Sequence, residues 1–550
     1  MSETSTRASV AGRSRVEWPV VPAVGLFVAG LAFALWRIRQ DTGTTLVYGL
    51  DDAYIHMAIA KNLARHGLWG VTPFHFASAS SSLLWTALLG LAYFLTGVRD
   101  ITPLVLNFAL ALATLVVADS YLARWRASIG LRVTASIGLV VACPLPGMVV
   151  LGMEHILHIL LTIWFAGAAF DQLAAKATGR RPARWETTTL MVLGMLLATS
   201  RYEGLFLVGI AGLMFVIQGR RVFGVALGAA SALPTILFGA ISIANGWLFF
   251  PNSLLLKAGG EDISLITALL KPVGQIDIDF FADNNPLFIL VLVGLAGGIV
   301  QLRDRLFVWR PQVLAPLALA MMILLHGHYT FSSMFWEYRY AAYLGAFGVF
   351  ATAALLTDYW SEMSSPESGR TAGIASFVGM AALIWLVTDG RSAVLSRQET
   401  GSATSTYFEH VKAAHFVQRH YPASTVVVND LGTVTYFTDA RILDMFGLGD
   451  IEPIWIRRQH GGEYTASDIA SWVGPYHPAI AVLQIGWGWV VPRIPAQWIR
   501  VAEVQMPVDG EFIGFFAVDR AEAHRLRANV EQFYGPLVSH GYRLTLLDVE

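Results

Sequence analysis

The chain contains a single cysteine, Cys143, in 550 residues. No intramolecular disulfide can form, so cysteine usage carries no information about the redox compartment. Charge is also sparse. Asp, Glu, Lys and Arg make up 14% of the sequence, against roughly 25% in a typical soluble domain. These charges cancel to a net −1, which removes the electrostatic case for a nucleic-acid partner. A Gly-rich phosphate loop, an HExxH motif, an internal repeat and coiled-coil heptads are all missing. Apolar residues are what the chain has in excess. They reach 55%, with 50 glycines besides, and the mean hydropathy is +0.54. A water-soluble core cannot absorb that much apolar surface, so the composition is that of a membrane protein.

The hydrophobic pattern predicts an α-helical polytopic protein. Residues 1–18 form a Ser/Thr/Arg-rich tail carrying Arg7, Arg13 and Arg15, expected in the cytoplasm ahead of an uncleaved first span from Pro19 to Trp36. Further apolar segments begin near Ser80, Ile101, Val133, His155, Thr187, Leu205, Val222, Pro286, Pro311, Ala341 and Thr371. Most approach the ~20 residues needed to cross a bilayer. Basic clusters occur at Arg124, Arg126 and Arg132; at Lys176, Arg180, Arg181 and Arg184; at Arg220 and Arg221; and at Arg303, Arg305 and Arg310. All four fall on the cytoplasmic side if the Ser80–Gly97 segment lies at the interface instead of crossing. That leaves eleven spans, with outer loops at Arg37–Asp100 and Asn245–Asn285. The expected organisation is a multi-span catalytic domain over 19–388 and an extracytoplasmic soluble α/β domain over 389–550. The second domain has a helix near Tyr407–His420 and strands at Thr425–Asn429, Ala479–Ile485 and Phe512–Val518.

Ionisable groups in or beside membrane spans are costly and mark function by default. Five outer segments carry them. They are Asp51 and Asp52; Glu154; Arg201 with Glu203; Lys257; and Glu337 with Arg339. Each has a plainer explanation. Adjacent acids beginning a helix favour its dipole, Arg201 and Glu203 pair at a turn, and Lys257 and Arg339 snorkel to headgroups. Their convergence at one membrane depth favours a site. The i,i+4 pairs Asp52/His56 and Glu154/His158 have the spacing of metal ligands, a pattern that also arises by chance. A required cofactor is not expected, and a divalent metal is the less favoured alternative. Cys143-Pro-Leu-Pro146 reads as a kinked helix end with a buried cysteine.

At these residues the sequence resembles the C-type-fold integral membrane glycosyltransferases, and within them the actinobacterial arabinofuranosyltransferase branch that uses polyprenyl-phosphate sugars. The resemblance lies in Asp51-Asp52-Ala53-Tyr54, Ser81-Ser82-Leu83-Leu84-Trp85, Gly152-Met153-Glu154-His155, Arg201-Tyr202-Glu203-Gly204, Pro251-Asn252-Ser253 through Lys257, and Val428 to Gly432. The sequence departs from the family pattern at His56, His155 and Tyr202, and lacks a proline after Ser82.

The resemblance implies inverting transfer of a sugar, arabinofuranose in that branch, to a hydroxyl of a cell-envelope glycan or glycoconjugate. It implies catalytic roles for three acids, with Asp51 as general base, Asp52 orienting the acceptor or donor sugar and Glu154 as second acid. Donor phosphate and sugar fall to Lys257, Arg339, Arg201, Glu203, Asn252 and Tyr54. A flippase or transporter of lipid-linked sugars is the competing class, since outer acids also bind a headgroup without chemistry.

Overall fold

The computed structural model describes residues 18–44, 46–177, 179–257, 309–329, 339–362, 401–508 and 510–549. Four helices within them are long and apolar enough to cross a membrane. They are Val21–Thr42, Thr102–Arg124, His155–Lys176 and Arg221–Ala244. The third is central, because 83% of its apolar window is buried, against 28–33% for the others. Shorter apolar helices pack around these at Leu83–Thr96, Ile129–Ala142, Gly204–Ile217, Pro311–Leu325 and Ala342–Thr357. The expected spans near Pro286 and Thr371 lie outside the described residues.

Local chemistry explains several boundaries. Ser82 caps the Leu83–Thr96 helix by accepting a hydrogen bond from the Trp85 amide. That helix has 14 residues. At ~1.5 Å per residue it is about 21 Å long, short of a ~30 Å hydrocarbon core. Pro144 follows the Ile129–Ala142 helix and separates it from the short Leu145–Val150 helix, with Cys143 fully buried between them. At one end of the bundle, Arg132 pairs with Asp119 and Arg180 with Glu186 at 2.6 and 2.9 Å, and Arg124 pairs with Asp171. The turns holding Glu154 and Arg201 lie at the opposite ends of these helices.

The C-terminal part is built on a six-stranded mixed sheet in the order β2-β1-β3-β5-β4-β6. The strands are β1 Thr425–Val428, β2 Arg441–Asp444, β3 Ile480–Gln484, β4 Ile499–Gln505, β5 Phe512–Ala517 and β6 Arg543–Leu546. β2, β1 and β3 run parallel, while β5 pairs antiparallel with β3 and β4. The connection after β1 leads to β2 on one side, and the connection after β3 leads to β4 on the other. This creates a crevice at the carboxyl ends of β1 and β3, where open sheets characteristically bind ligands.

The sheet is not an independent lobe. Its core is continuous with Ile55, Ile59, Val71, Ala77 and Trp247 from the two segments expected as outer loops. The Asp51–His66 helix packs directly on the short Gly432–Phe437 helix that follows β1.

Candidate active site

A cavity of about 490 Å³ lies where the helical and sheet parts meet. The helical side supplies Asp51, Asp52, Ile55, His56, Ser81, Met153, Ser253, Leu256 and Arg339, and the sheet side supplies His410, Asn429, Asp430, Phe446, Leu448 and Trp487. The walls are mainly apolar, and the charged groups on them are Asp51, Asp52, Arg339 and Asp430.

The two aspartates have different surroundings. The helix begins at Asp51 after the extended Leu50, placing both acids in the first turn, where the helix dipole favours them. Asp51 reaches across to the sheet part. Its Oδ2 accepts the Gly432 amide at 2.5 Å and its Oδ1 the Thr433 amide at 2.7 Å. Gly432 has no alternative there, because an added Cβ would lie 2.1 Å from the Asp51 carbonyl oxygen. Asp52 faces the cavity, and its Oδ2 lies 3.0 Å from Arg339 Nη2. The Arg339 side chain is 1% exposed, so this cation is held at the wall by burial as well as charge.

Behind the wall runs a second set of charges. Glu154 is fully buried and lies 2.6 Å from Arg201 Nη1, 3.5 Å from His56 Nε2 and 3.3 Å from Ser81 Oγ. Arg201 also binds Glu203 at 2.8 Å. His56 completes the link to the cavity, with Nδ1 2.8 Å from Thr86 Oγ1 and 3.2 Å from Ser80 Oγ. Glu154, Arg201 and Glu203 therefore brace His56 and Ser81, the residues that touch the cavity.

Other expected site residues take structural positions. Tyr54 is buried, accepts the Tyr48 amide at 3.2 Å, and packs among Tyr48, Tyr436 and Phe437. Asn252 is buried and donates to Gly447 O at 2.7 Å, tethering the loop after β2. Lys257 ends the Asn252–Lys257 helix, and its side chain lies outside the described residues, as does Glu337. Among the described residues, neither i,i+4 pair belongs to a group of three ligands able to hold a metal ion. Asp52 pairs with Arg339 and His56 with Glu154, while His158 Nδ1 lies 2.9 Å from Ser200 Oγ and the ring packs on Tyr343. Among the described residues the group able to hold a cation is Asp51, His410 and Asp430. Burial and the neighbouring Asp51 push the Asp430 carboxyl well above the usual carboxylate range.

Three further residues carry little or no mark in the sequence: His410, Lys61 and, apart from its place in the Val428–Gly432 segment, Asp430. Lys61 is buried on the same helix as Asp51, and its Nζ donates to the carbonyls of Thr435, Tyr436 and Thr438 at 2.8–3.0 Å and meets Asp439 at 3.1 Å. It caps the far end of the helix whose first amides Asp51 holds. Burial pulls the Lys61 ammonium below its ordinary value, opposed by Asp439. Its signal in the sequence was slight: one lysine inside Ile55-His-Met-Ala-Ile-Ala-Lys61.

Residues 397–525 match a family described as a domain of unknown function (DUF8728). No curated protein matches the chain. Among solved structures, ArnT from Cupriavidus metallidurans bound to undecaprenyl phosphate aligns at 12% identity and a TM-score of 0.49, over 90% of this chain and 99% of that one. The oligosaccharyltransferase AglB from Archaeoglobus fulgidus, in complex with an inhibitory peptide and a dolichol-phosphate, aligns at 11% identity and a TM-score of 0.46, over 90% of this chain and 74% of that one.

Proposed function

We propose that this chain is a membrane glycosyltransferase that moves a sugar from a polyprenyl-phosphate donor to a hydroxyl of a cell-envelope glycan or glycoconjugate. In this reading the protein has eleven spans, and its cavity and sheet domain lie on the extracytoplasmic face of the cell membrane. The observation that carries it is the Asp52–Arg339 pair at 3.0 Å in the wall of a largely apolar cavity. A lipid phosphate needs a cation for its headgroup and apolar surface for its chain, and a transferase needs a carboxylate beside them.

The chemistry follows from those groups. The acceptor hydroxyl gives its proton to a carboxylate as its oxygen bonds to the anomeric carbon. The bond from that carbon to the phosphate oxygen breaks, and the departing lipid phosphate gains negative charge. Arg339, with Lys257 assisting, stabilises that charge. A single displacement inverts the anomeric centre. We assign the base to Asp52. Asp51 already accepts two backbone amides and holds the sheet part in place, whereas Asp52 turns its carboxylate toward the cavity. Arg339 would shift part of its contact to the arriving phosphate, leaving Asp52 able to take a proton. Glu154, Arg201 and Glu203 keep the wall rigid.

The test is transfer by the purified full chain in liposomes, with a panel of polyprenyl-phosphate sugars including arabinofuranose. Mass analysis would follow both donor lipid and acceptor glycan. The expected result is a glycosylated acceptor and one stoichiometric lipid phosphate, both lost in Asp52→Asn. Movement of intact donor between leaflets without its consumption would replace this reading with a flippase. For orientation, a cysteine placed at the exposed Arg126, in a background lacking Cys143, should label only from the cytoplasmic side.

A further inference from the structure

We propose that Asp51, His410 and Asp430 form a divalent-cation site that joins the first outer helix to the sheet domain. One ligand atom from each lies within 4.8 Å of the other two. His410 Nδ1 is 3.1 Å from Asp430 Oδ2, and its Nε2 is 3.4 Å from Glu409 Oε2. The imidazole is thus fixed between a ligand carboxylate and an orienting carboxylate, as ligating histidines usually are. Asp51 spends one lone pair of each oxygen on a backbone amide, and a carboxylate offers about four such sites.

A second observation comes from the sheet. Beside these residues lies a small cavity of about 20 Å³, lined by His410, Asn429, Asp430, Thr433 and Gln484 among others. A space of that size holds about one water molecule. Gln484, at the end of β3, is 6% exposed, and its buried Oε1 has no hydrogen-bond partner among the described residues. An orphaned acceptor facing a water-sized space beside two carboxylates and an imidazole is suited to a hydrated cation. The position is the carboxyl-end crevice between β1 and β3, where the strand order reverses. Two carboxylates and one imidazole mix hard and borderline ligands, which suits Mn²⁺ or Zn²⁺ better than Mg²⁺ or a soft ion. The cation would tie two segments far apart in sequence and fix one wall of the larger cavity. These ligands are distinct from the Asp52–Arg339 pair.

The experiment uses the full chain in detergent, stripped with chelator, dialysed, and titrated separately with Mn²⁺ and Zn²⁺ without any donor lipid. Bound metal is read by elemental analysis, with electron paramagnetic resonance for Mn²⁺, and thermal midpoints are recorded alongside. Wild type should bind about one equivalent of one of these ions and melt at a higher temperature with it. Asp430→Asn and His410→Gln should each weaken binding by about tenfold or more and abolish the thermal shift. The inference is overturned if wild type takes up no metal above background, which needs no variant to fold. It is equally overturned if both variants bind and shift like wild type. Neither result depends on sugar transfer, so the transferase reading stands or falls separately.

Discussion

Asp52–Arg339 and Glu154–Arg201–Glu203 use the same residue types, yet one group opens on the cavity and the other is sealed behind it. Burial of the carboxylate makes the difference. Arg201 is held by two carboxylates, and Glu154 is fully enclosed by Arg201, His56 and Ser81. Asp52 keeps 29% of its side chain exposed at the cavity. A charged pair can therefore serve as machinery or as a brace, and solvent access at the carboxylate separates the two.

Breaking each group should separate activity from stability. The largest effect belongs to Asp52→Asn, which keeps shape and removes the base, lowering the transfer rate by about 10²–10⁴-fold with a smaller loss of stability than Arg201→Met, because the amide still accepts a hydrogen bond from Arg339. Should Asp51→Asn abolish transfer while Asp52→Asn retains it, the roles of the two neighbours are reversed. Arg201→Met should do the opposite of Asp52→Asn. It strands Glu154 in the interior, a change that costs about 3–5 kcal/mol, visible as a lower thermal midpoint and poor recovery from the membrane. Normal stability in that variant would erase the distinction drawn here.

Lys61→Met tests the other structural charge. Losing its grip on three carbonyls should cost about 2–3 kcal/mol and raise hydrogen exchange over 432–439 first. Unchanged exchange there would mean that packing alone holds the interface.

The smallest effect concerns pH. His75 Nε2 lies 3.3 Å from Asp450 and 3.1 Å from Gly449 O. Burial lowers its basicity, but the bond to Asp450 and its charge outweigh burial and raise it. A histidine raised on folding contributes stability that is full below its unfolded value of ~6.5 and lost as pH rises through the folded value. Thermal midpoints should therefore fall modestly from pH 6 to pH 8, and His75→Gln should flatten that slope.

The sequence disclosed one side of the cavity better than the other. Asp51, Asp52 and Arg339 were visible because charges beside apolar runs are conspicuous. The helix near Tyr407–His420 and three strands were likewise visible from local pattern, and the structure has a π-helical turn at Tyr407–Val411 leading into the helix Lys412–His420, with strands at Thr425–Val428, Ile480–Gln484 and Phe512–Ala517. What stayed hidden was long-range. Asp51 and Thr433 meet across 382 positions, and no periodicity encodes such a meeting. Lys61 was hidden for a different reason. On an amphipathic stretch a lysine reads as solvent-facing, and only the backbone of the sheet domain supplies the carbonyls that make its burial tolerable. The resemblance implies a catalytic Glu154, and in space its carboxylate lies among Arg201, His56 and Ser81, contacts that the sequence pattern does not encode.

The grip of Asp51 and Lys61 on the two ends of the Gly432–Phe437 helix also bears on the order of assembly. A six-residue helix is well below the ~12–15 residues at which isolated helices become even marginal in water. Its shape is imposed by an acid and a base already set ten positions apart on a longer helix, made much earlier during synthesis. The Asp51–His66 helix thus works as a template, and a nascent sheet domain that emerged without it would lack the mould for its first crossover.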